Sequence, residues 1–401
     1  MTTLEDGLRT DHSQATTDGA HSHGVEAPPS SRASRPTSFK AADFEVPNGR
    51  EEEWRFSALD SLRPLMSDSV AAGGLDIKIQ APEEVTVETV DRDDERLGTV
   101  GAPGDRAAAV AWEAFDKAQV VSIPANSTPE QPTIIQRVGK GEGPTGAHVQ
   151  VRAGKLSEAV VVLDNTGDAD LTENVEIIIE DGARVTVVSV QEWDEEATHA
   201  ASHRAVLGRD AYMKHVVVTL GGKAVRLCPE ARFEGPGSEV EMFGVYFTDA
   251  DQHQEHRLFV DHAVSNCRSD VAYKGALQGE SAHAVWIGDV LIRAAAEATD
   301  TYELNRNLVL TDGARADSVP NLEIETGEIE GAGHASATGR FDDEQVFYLT
   351  SRGIPVEEAR RLVVRGFFVD VVKRIGVADI EERIMTAIEK ELEITAELAE
   401  Q

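Results

Sequence analysis

"EDGARVTVVSV", residues 180–190, is a polar turn followed by a β-branched strand, and the same turn opens "TDGARADSVPNLEI" at 311–324. Asp181, Gly182, Ala183 and Arg184 are matched by Asp312, Gly313, Ala314 and Arg315. A recurring turn-then-strand unit is what stacked coils produce. From about Ile123 to Ser336, short β-branched runs such as "AVVVL", "VEIIIE", "HVVVTL" and "VEMFGVYF" are separated by Gly, Asp, Asn and Pro, with no long helical pattern. One flat sheet of so many strands would be strained, which leaves a closed barrel, a sandwich or a solenoid. Many runs are apolar at successive positions, which parallel stacked strands tolerate. The repeat is faint, and on the residues alone all three architectures stay open.

The flanks are written differently. Residues 1–38 are rich in Ser, Thr, Ala, Pro, His and charge, with too few large apolar side chains to offset ordering entropy, and read as a disordered tail. Residues 39–122 read as a mixed region. "FEVPNGREEEWRFSALDSLRPL" spaces Trp54, Phe56, Leu59 and Leu62 about three apart, "GDRAAAVAWEAFDKA" is an Ala-rich helix, and "GLDIKIQAPEEVTVETV" alternates as a strand does. After the strand-rich core, residues 123–339, the segment 340–401 turns helical. Asp342 or Asp343 can cap "EQVFYLTS", Gly353 fits the position after a helix end, and Pro355 fits the first turn of a second helix. That helix aligns Val356, Ala359, Leu362, Val363, Phe367 and Val371, and Gly366 within it points to a close packing partner. Ile380, Ile384, Ile388 and Leu392 form the stripe of a third helix.

With Lys plus Arg at 38 and Asp plus Glu at 72, the formal net charge of −34 repels phosphate backbones and anionic lipid. Nucleic acid and membranes are therefore poor partners. No run reaches the length of a membrane span, and "MTTLEDGLRTDHSQ" has neither part of a secretory leader, so the expected location is the cytoplasm. Cys228 and Cys267 are too few for a disulfide framework and lack CxxC spacing. Such a chain cannot supply all the ligands of an iron-sulfur centre. "VGKGEGPTG" lacks the GK[ST] of a phosphate-binding loop, so any ATP belongs to another chain.

Chemistry-bearing residues are scattered. His21 and His23 lie in the polar tail; His199 and His203 are four apart, in what reads as a loop entering a strand. His253 and His256 precede "RLFVDH", which ends at His262, and read as solvated or turn-bonding. Asp249 with Asp251, or Glu297 with Asp300, could do acid and base work on a sugar, although acidic pairs are expected everywhere in so acidic a chain. His334, in "GHASATGRF", reads on spacing alone as an imidazole satisfied by backbone.

"EEEWRF", "NRNLVLTDGARADSVPNLEIE", "GHASATGRFDDEQVFYLTSRGI" and "EEARRLVVRGFFVDVV" together resemble the SufB/SufD family of iron-sulfur cluster assembly proteins, over about residues 39–395. The chain is more similar to SufD, because Ala314 stands where a SufB carries its cluster-building cysteine. The resemblance implies a mainly β fold, a right-handed parallel β-helix core between an N-terminal helical or mixed region and a C-terminal helical domain. It implies a non-catalytic scaffold subunit of a SufBCD complex. A SufB-like paralogue would pair along the β-helix edges, and a SufC-like ATPase would grip the C-terminal helices and bind the ATP.

His334 matches the histidine that SufD proteins present at the SufB interface, where iron or an iron-sulfur cluster would be held in transit. Imidazole suits iron. Some SufD proteins carry a cysteine just before this histidine, but here the residues are Ala332 and Gly333. Implied SufC contacts are Phe347, Tyr348, Arg352, Gly353 and Phe367, with helix packing an equal reading for Phe347 and Phe367. The resemblance also raises a reduced flavin in the complex and a homodimer in the absence of SufB. The alternatives are a carbohydrate-active β-helix enzyme, disfavoured by the missing leader, and a SufB-like chain using Cys228 or Cys267, disfavoured by Ala314.

Overall fold

The computed structural model describes residues 32–341 and 343–399. Strands of about ten residues alternate between two parallel sheets and stack into a solenoid. Each strand pairs with the next but one in sequence. In the first sheet Arg184–Trp193 is followed by Tyr212–Thr219, Glu239–Thr248, Arg268–Leu277, Asp300–Val309 and Gly331–Arg340. In the second, Thr198–Leu207 is followed by Ala224–Phe233, His253–His262, His283–Ile292 and Arg315–Ile324. Two longer strands, Thr133–Ala153 and Glu158–Ile179, run through both sheets. The parallel β-helix expectation holds, and the barrel and sandwich fall away.

The corners explain the faint repeat. Two residues before a strand begins, the chain passes through the left-handed region: at Leu156, Gly182, Asp210, Gly237, Asn266 and Ala298 before first-sheet strands, and at Gly222, Asp251, Ser281 and Gly313 before second-sheet strands. Gly182 and Gly313 adopt φ of +68° and +88° there, where a Cβ would be strained. The echo in sequence is thus two corners of one repeated design, one leading into each sheet. Other corners meet the same need with Asp, Asn, Ser, Ala or Leu, which hides the period. On the first sheet the residue after the turn is small and tucked inward, as Ala183, Ala211, Ser238 and Cys267 are.

Both sheets are covered on both faces. The interior is filled by Val185, Val187, Leu227, Val240, Trp193, Trp286 and their neighbours. Outside the first sheet, Val188, Val216, Val218, Phe243 and Phe247 pack against Val364, Phe368, Val371, Ile384 and Ile388 of the C-terminal helices. Outside the second, Ala200 and Ala224 pack under Trp54, Leu62, Leu65 and Met66. Burial on two faces is why the strands read as continuous apolar runs.

Residues 1–31, with His21 and His23 and most of the proposed tail, lie outside the described residues. Arg32 and the turn Arg32–Ser34, read as tail, instead dock on the second sheet: Arg32 donates to the Leu258 carbonyl at 3.1 Å and to Glu230 at 3.1 Å. The "EEEW" segment does the same. Glu53 pairs with Arg226 at 3.0 Å and with Arg257 at 3.1 Å, and the Arg226 guanidinium stacks 3.9 Å from the centre of the Trp54 ring. Its helical content is slight, the turn Glu52–Trp54 and the helix α1 (Leu59–Leu62), because these charged anchors fix the chain in place of a helical ladder. The Ala-rich helix α2 spans Arg106–Ala114, capped by Asp105. No helix among the described residues is long and apolar enough to cross a membrane.

The C-terminal helices are α3 (Asp343–Thr350), α4 (Val356–Val372) and α5 (Ala378–Ala399). Gly353 takes φ of +87° after α3, as its reading required. Pro355 stands one residue earlier than expected, as the cap of α4, and Asp342 lies outside the described residues. Gly366 has no close partner: nothing lies within 4 Å of where its Cβ would be, so the expected packing contact is absent and the position faces open space.

The two ends of the solenoid differ. At the first, Leu75–Gln80 and Thr86–Asp91 lie antiparallel on the leading strands Thr133–Ala153 and Lys117–Ile123. At the other, among the described residues, no strand follows Arg315–Ile324 or Gly331–Arg340. Their outer backbone groups form an open edge, the kind of edge that single-chain folds otherwise cover.

Candidate functional site

His334 lies on the last strand of the open end, exposed, with Glu303 as its register partner on the strand below. Paired residues in a parallel ladder turn to the same side. Glu303 faces inward: it is 1% exposed, and neither of its carboxylate oxygens has a hydrogen-bond partner. Burial, with a smaller contribution from Asp289, pushes its carboxyl up to about 8. The column that Glu303 completes is otherwise almost wholly apolar, running back through Val271, Met242, His215 and Val187. A carboxylate therefore enters this column only at the coil beneath His334.

A second inward column, four residues along the strands, is polar at every position but Gly275. Arg137, Asn165, Gln191, Thr219, Tyr246, Gly275, Asn307 and Thr338 succeed one another in register from the first coils to the open edge. Arg137 donates to Asn165 at 2.7 Å, and Asn165 donates to Gln191 at 2.8 Å. Nearer the open end, the Asn305 amide donates to the Tyr246 hydroxyl at 3.0 Å, the Tyr246 hydroxyl donates to Asn307, and Asn307 donates to Asn305 at 2.8 Å and to Thr338 at 3.4 Å. At the mouth, Ser336 and Ser318 join the last strands of the two sheets through hydroxyls 2.7 Å apart. The open end thus presents His334, Ser318, Ser336 and Thr338 over a buried polar floor of Glu303, Asn305 and Asn307.

The other histidines lie elsewhere and differ from their sequence reading. His199, His203, His253, His256 and His262 all lie within buried strands, not in loops or solvent. Coverage of both sheet faces buries them, and each finds a partner. His199 accepts the Trp193 indole N–H at its Nδ1, 3.2 Å away, so its Nε2 carries the proton donated to Glu173 at 2.9 Å. His203 meets His215 at 3.0 Å, His256 meets Thr219 at 3.0 Å, and His262 meets Ser269 at 2.9 Å. No group of three metal-binding side chains occurs among the described residues. The acidic pairs sit at corner turns, Asp249 and Asp251 around one, Glu297 and Asp300 around another.

Both cysteines are buried, and burial pushes both thiols up, which keeps them protonated. Cys267 is the small residue after a corner turn, in the same place as Ala183 and Ala211. Ala314 holds the matching place at a corner of the second sheet, where Ala282 is 1% exposed. On the C-terminal helices, Phe347 and Tyr348 stand out from α3 at 73% and 53% exposure, and Arg352 lays its guanidinium 4.0 Å from the centre of the Tyr348 ring. Phe367 is different: half-buried, it packs on Phe368 and on Lys274 of the first sheet, whose ammonium donates to the Phe367 carbonyl at 2.7 Å.

Sequence reasoning missed Glu303, Asn305 and Asn307. Their signal is the period-two run Glu303, Asn305, Asn307 against Leu304 and Leu308, which reads as a strand with its leucines inward. The leucines instead face the C-terminal helices.

Residues 137–367 match the family model described as SUF system FeS cluster assembly, SufBD core domain. The chain is similar to an iron-sulfur cluster assembly SufBD family protein of Mycobacterium bovis, 53% identical over 366 residues, covering 89% of this chain and 92% of that protein. A SufBD family protein of Mycobacterium leprae is 51% identical over 366 residues, covering 89% and 93%. A second SufBD family protein of Mycobacterium bovis is 27% identical over 201 residues, 50% of this chain and 24% of that protein.

Proposed function

The chain belongs to the SufBD family of iron-sulfur cluster assembly proteins, and we propose that within it the chain serves as the SufD-type, non-catalytic scaffold subunit. It pairs through its open solenoid end with a SufB-like paralogue and holds iron or nascent cluster at their interface through His334. The observation that carries this reading is the contrast between the two ends: one is closed by antiparallel strands, whereas the other, among the described residues, leaves the outer side of Arg315–Ile324 and Gly331–Arg340 without a partner strand and His334 exposed on it. A second chain that adds its own strand there satisfies the free backbone groups. The sulfur comes from that partner, since Cys228 and Cys267 are buried and Ala314 carries no thiol. That two SufBD family proteins of one organism resemble this chain at very different identities fits a pair of paralogues.

The exposed Phe347 and Tyr348 of α3, with Arg352 and Gly353 beyond it, form the contact for a SufC-like ATPase, which binds the ATP. Phe367 anchors α4 to the solenoid and transmits movement of the helices to the first sheet. Co-expression with a tagged SufB-like paralogue tests the pairing. The expected result is a stable complex that charge-bearing substitutions on the edge, such as Val319→Glu with Ala335→Glu, disperse. A complex indifferent to those substitutions contradicts an edge-to-edge interface.

A further inference from the structure

We propose that Glu303 and His334 form the two arms of a half-site for a divalent transition-metal ion at the open end of the solenoid, the remaining positions being filled by water until a partner chain supplies its own ligands. The inference rests on the reading of His334 as an iron-binding group and adds the carboxylate that no spacing pattern marks. Three observations converge on it. The pair is in register on adjacent parallel strands, with His334 exposed and Glu303 directly inside it. Both carboxylate oxygens of Glu303 are buried and without a hydrogen-bond partner, an arrangement that costs stability unless a ligand satisfies them. Last, the glycine at 288 gives the carboxylate room beside the Trp286 ring: a Cβ at that position would lie 2.4 Å from the ring and 2.6 Å from Glu303 Oε1.

By contrast, the other buried carboxylate of the interior is paired: Glu173 is held by Arg137 and His199. Glu303 alone in this interior stands free of any described cation, next to an imidazole and beneath an opening. A carboxylate and a neutral imidazole together suit iron(II), cobalt(II) or manganese(II) better than calcium or magnesium, which prefer oxygen alone. Two protein ligands and several waters make a loading position that exchanges its ion, which fits a metal in transit and not a resident centre.

Cobalt(II), whose visible absorption reports its ligands, is the probe. Added anaerobically to the purified full-length chain, it is expected to bind one ion per chain, and Glu303→Gln and His334→Ala are each expected to weaken binding by about tenfold or more. Glu303→Asp, which keeps a carboxylate one methylene shorter, is expected to fall between Glu303→Gln and the wild type, and it carries the test if Glu303→Gln folds poorly. Loss of binding in His334→Ala with wild-type binding in Glu303→Gln and Glu303→Asp overturns the half-site while leaving His334 a ligand. Wild-type binding in His334→Ala overturns both this inference and the reading it rests on. No cobalt uptake by the wild-type chain overturns the half-site alone, since a histidine ligand completed entirely by the partner would survive that result.

Discussion

The ring of Tyr246 fills the space beside Gly275, its register partner on the next coil, so that a Cβ at 275 would fall within the ring. The tyrosine gains room to lie flat along the interior, where it stacks on His256 and its hydroxyl reaches Asn307 two coils further on. Gly275→Ala is therefore expected to destabilise the chain by about 2 kcal/mol or more, because neither backbone nor ring can move away in a close-packed interior. Urea unfolding of Gly275→Ala alone and with Tyr246→Ala checks it. The double variant should lose markedly less than the sum of the two single losses, and strict additivity would show that the two residues do not compete for space.

Buried histidines make the fold sensitive to acid. Burial holds His148, His256 and His262 down to about 3 and His203 to about 4, and it lowers His215 well below the ordinary imidazole value. Unfolded, each titrates near 6.5, so below that pH the unfolded chain binds protons that the folded chain refuses. Their stabilising contribution is complete above about pH 6.5 and is lost as pH falls towards the folded values, at about 1.4 kcal/mol per pH unit for each residue in that window. Urea midpoints at pH 7.5 and pH 5 should differ steeply, and equal midpoints would contradict the buried neutral state.

Arg137 and Glu173 form an ion pair inside the first coils, with neither side chain more than 1% exposed, and His199 holds the same carboxylate. Glu173→Gln leaves the guanidinium buried without its counter-charge and should cost about 3–5 kcal/mol. Replacing the pair together, Arg137→Met with Glu173→Leu, should recover much of that loss, as measured by thermal or denaturant unfolding. A double variant less stable than Glu173→Gln would show that the pair is worth more than its desolvation.

Phe347 and Tyr348 are expected to be contact residues without a structural duty. Phe347→Asp and Tyr348→Asp should leave the unfolding midpoint within about 0.5 kcal/mol of wild type, as surface changes do, while weakening association with a SufC-like ATPase by about tenfold or more. Calorimetric titration separates the two effects. Phe367→Ala should do the reverse, lowering stability through its packing on Lys274 and Phe368.

How far the sequence was legible follows from these same residues. The solenoid was visible in one echo because Gly182 and Gly313 happen to carry the same residues around the same turn, while Asp210, Asn266 and Ala298 meet the identical backbone need with different side chains. The helices were legible because capping and apolar stripes are local, as at Gly353 and at Ile384 with Ile388. The histidines were misplaced because a polar strand buried on both faces looks like a loop until its long-range covers are known; His199 needs Glu173 and Trp193, and His256 needs Thr219. Glu303 was hidden for the same reason: which face of Asp300–Val309 points inward depends on the helices that cover Leu304 and Leu308. His334 emerged only through its resemblance to a family motif, since nothing local separates it from an imidazole at rest.

One measurement tests the role of His334 most directly. Complexes of this chain with its SufB-like paralogue and SufC-like ATPase, purified with wild-type His334 or with His334→Ala, are compared for iron and acid-labile sulfide bound per complex. The account predicts equal recovery of the assembled complex and a cluster content lower by about tenfold in the variant. Undiminished cluster in an intact His334→Ala complex would contradict it.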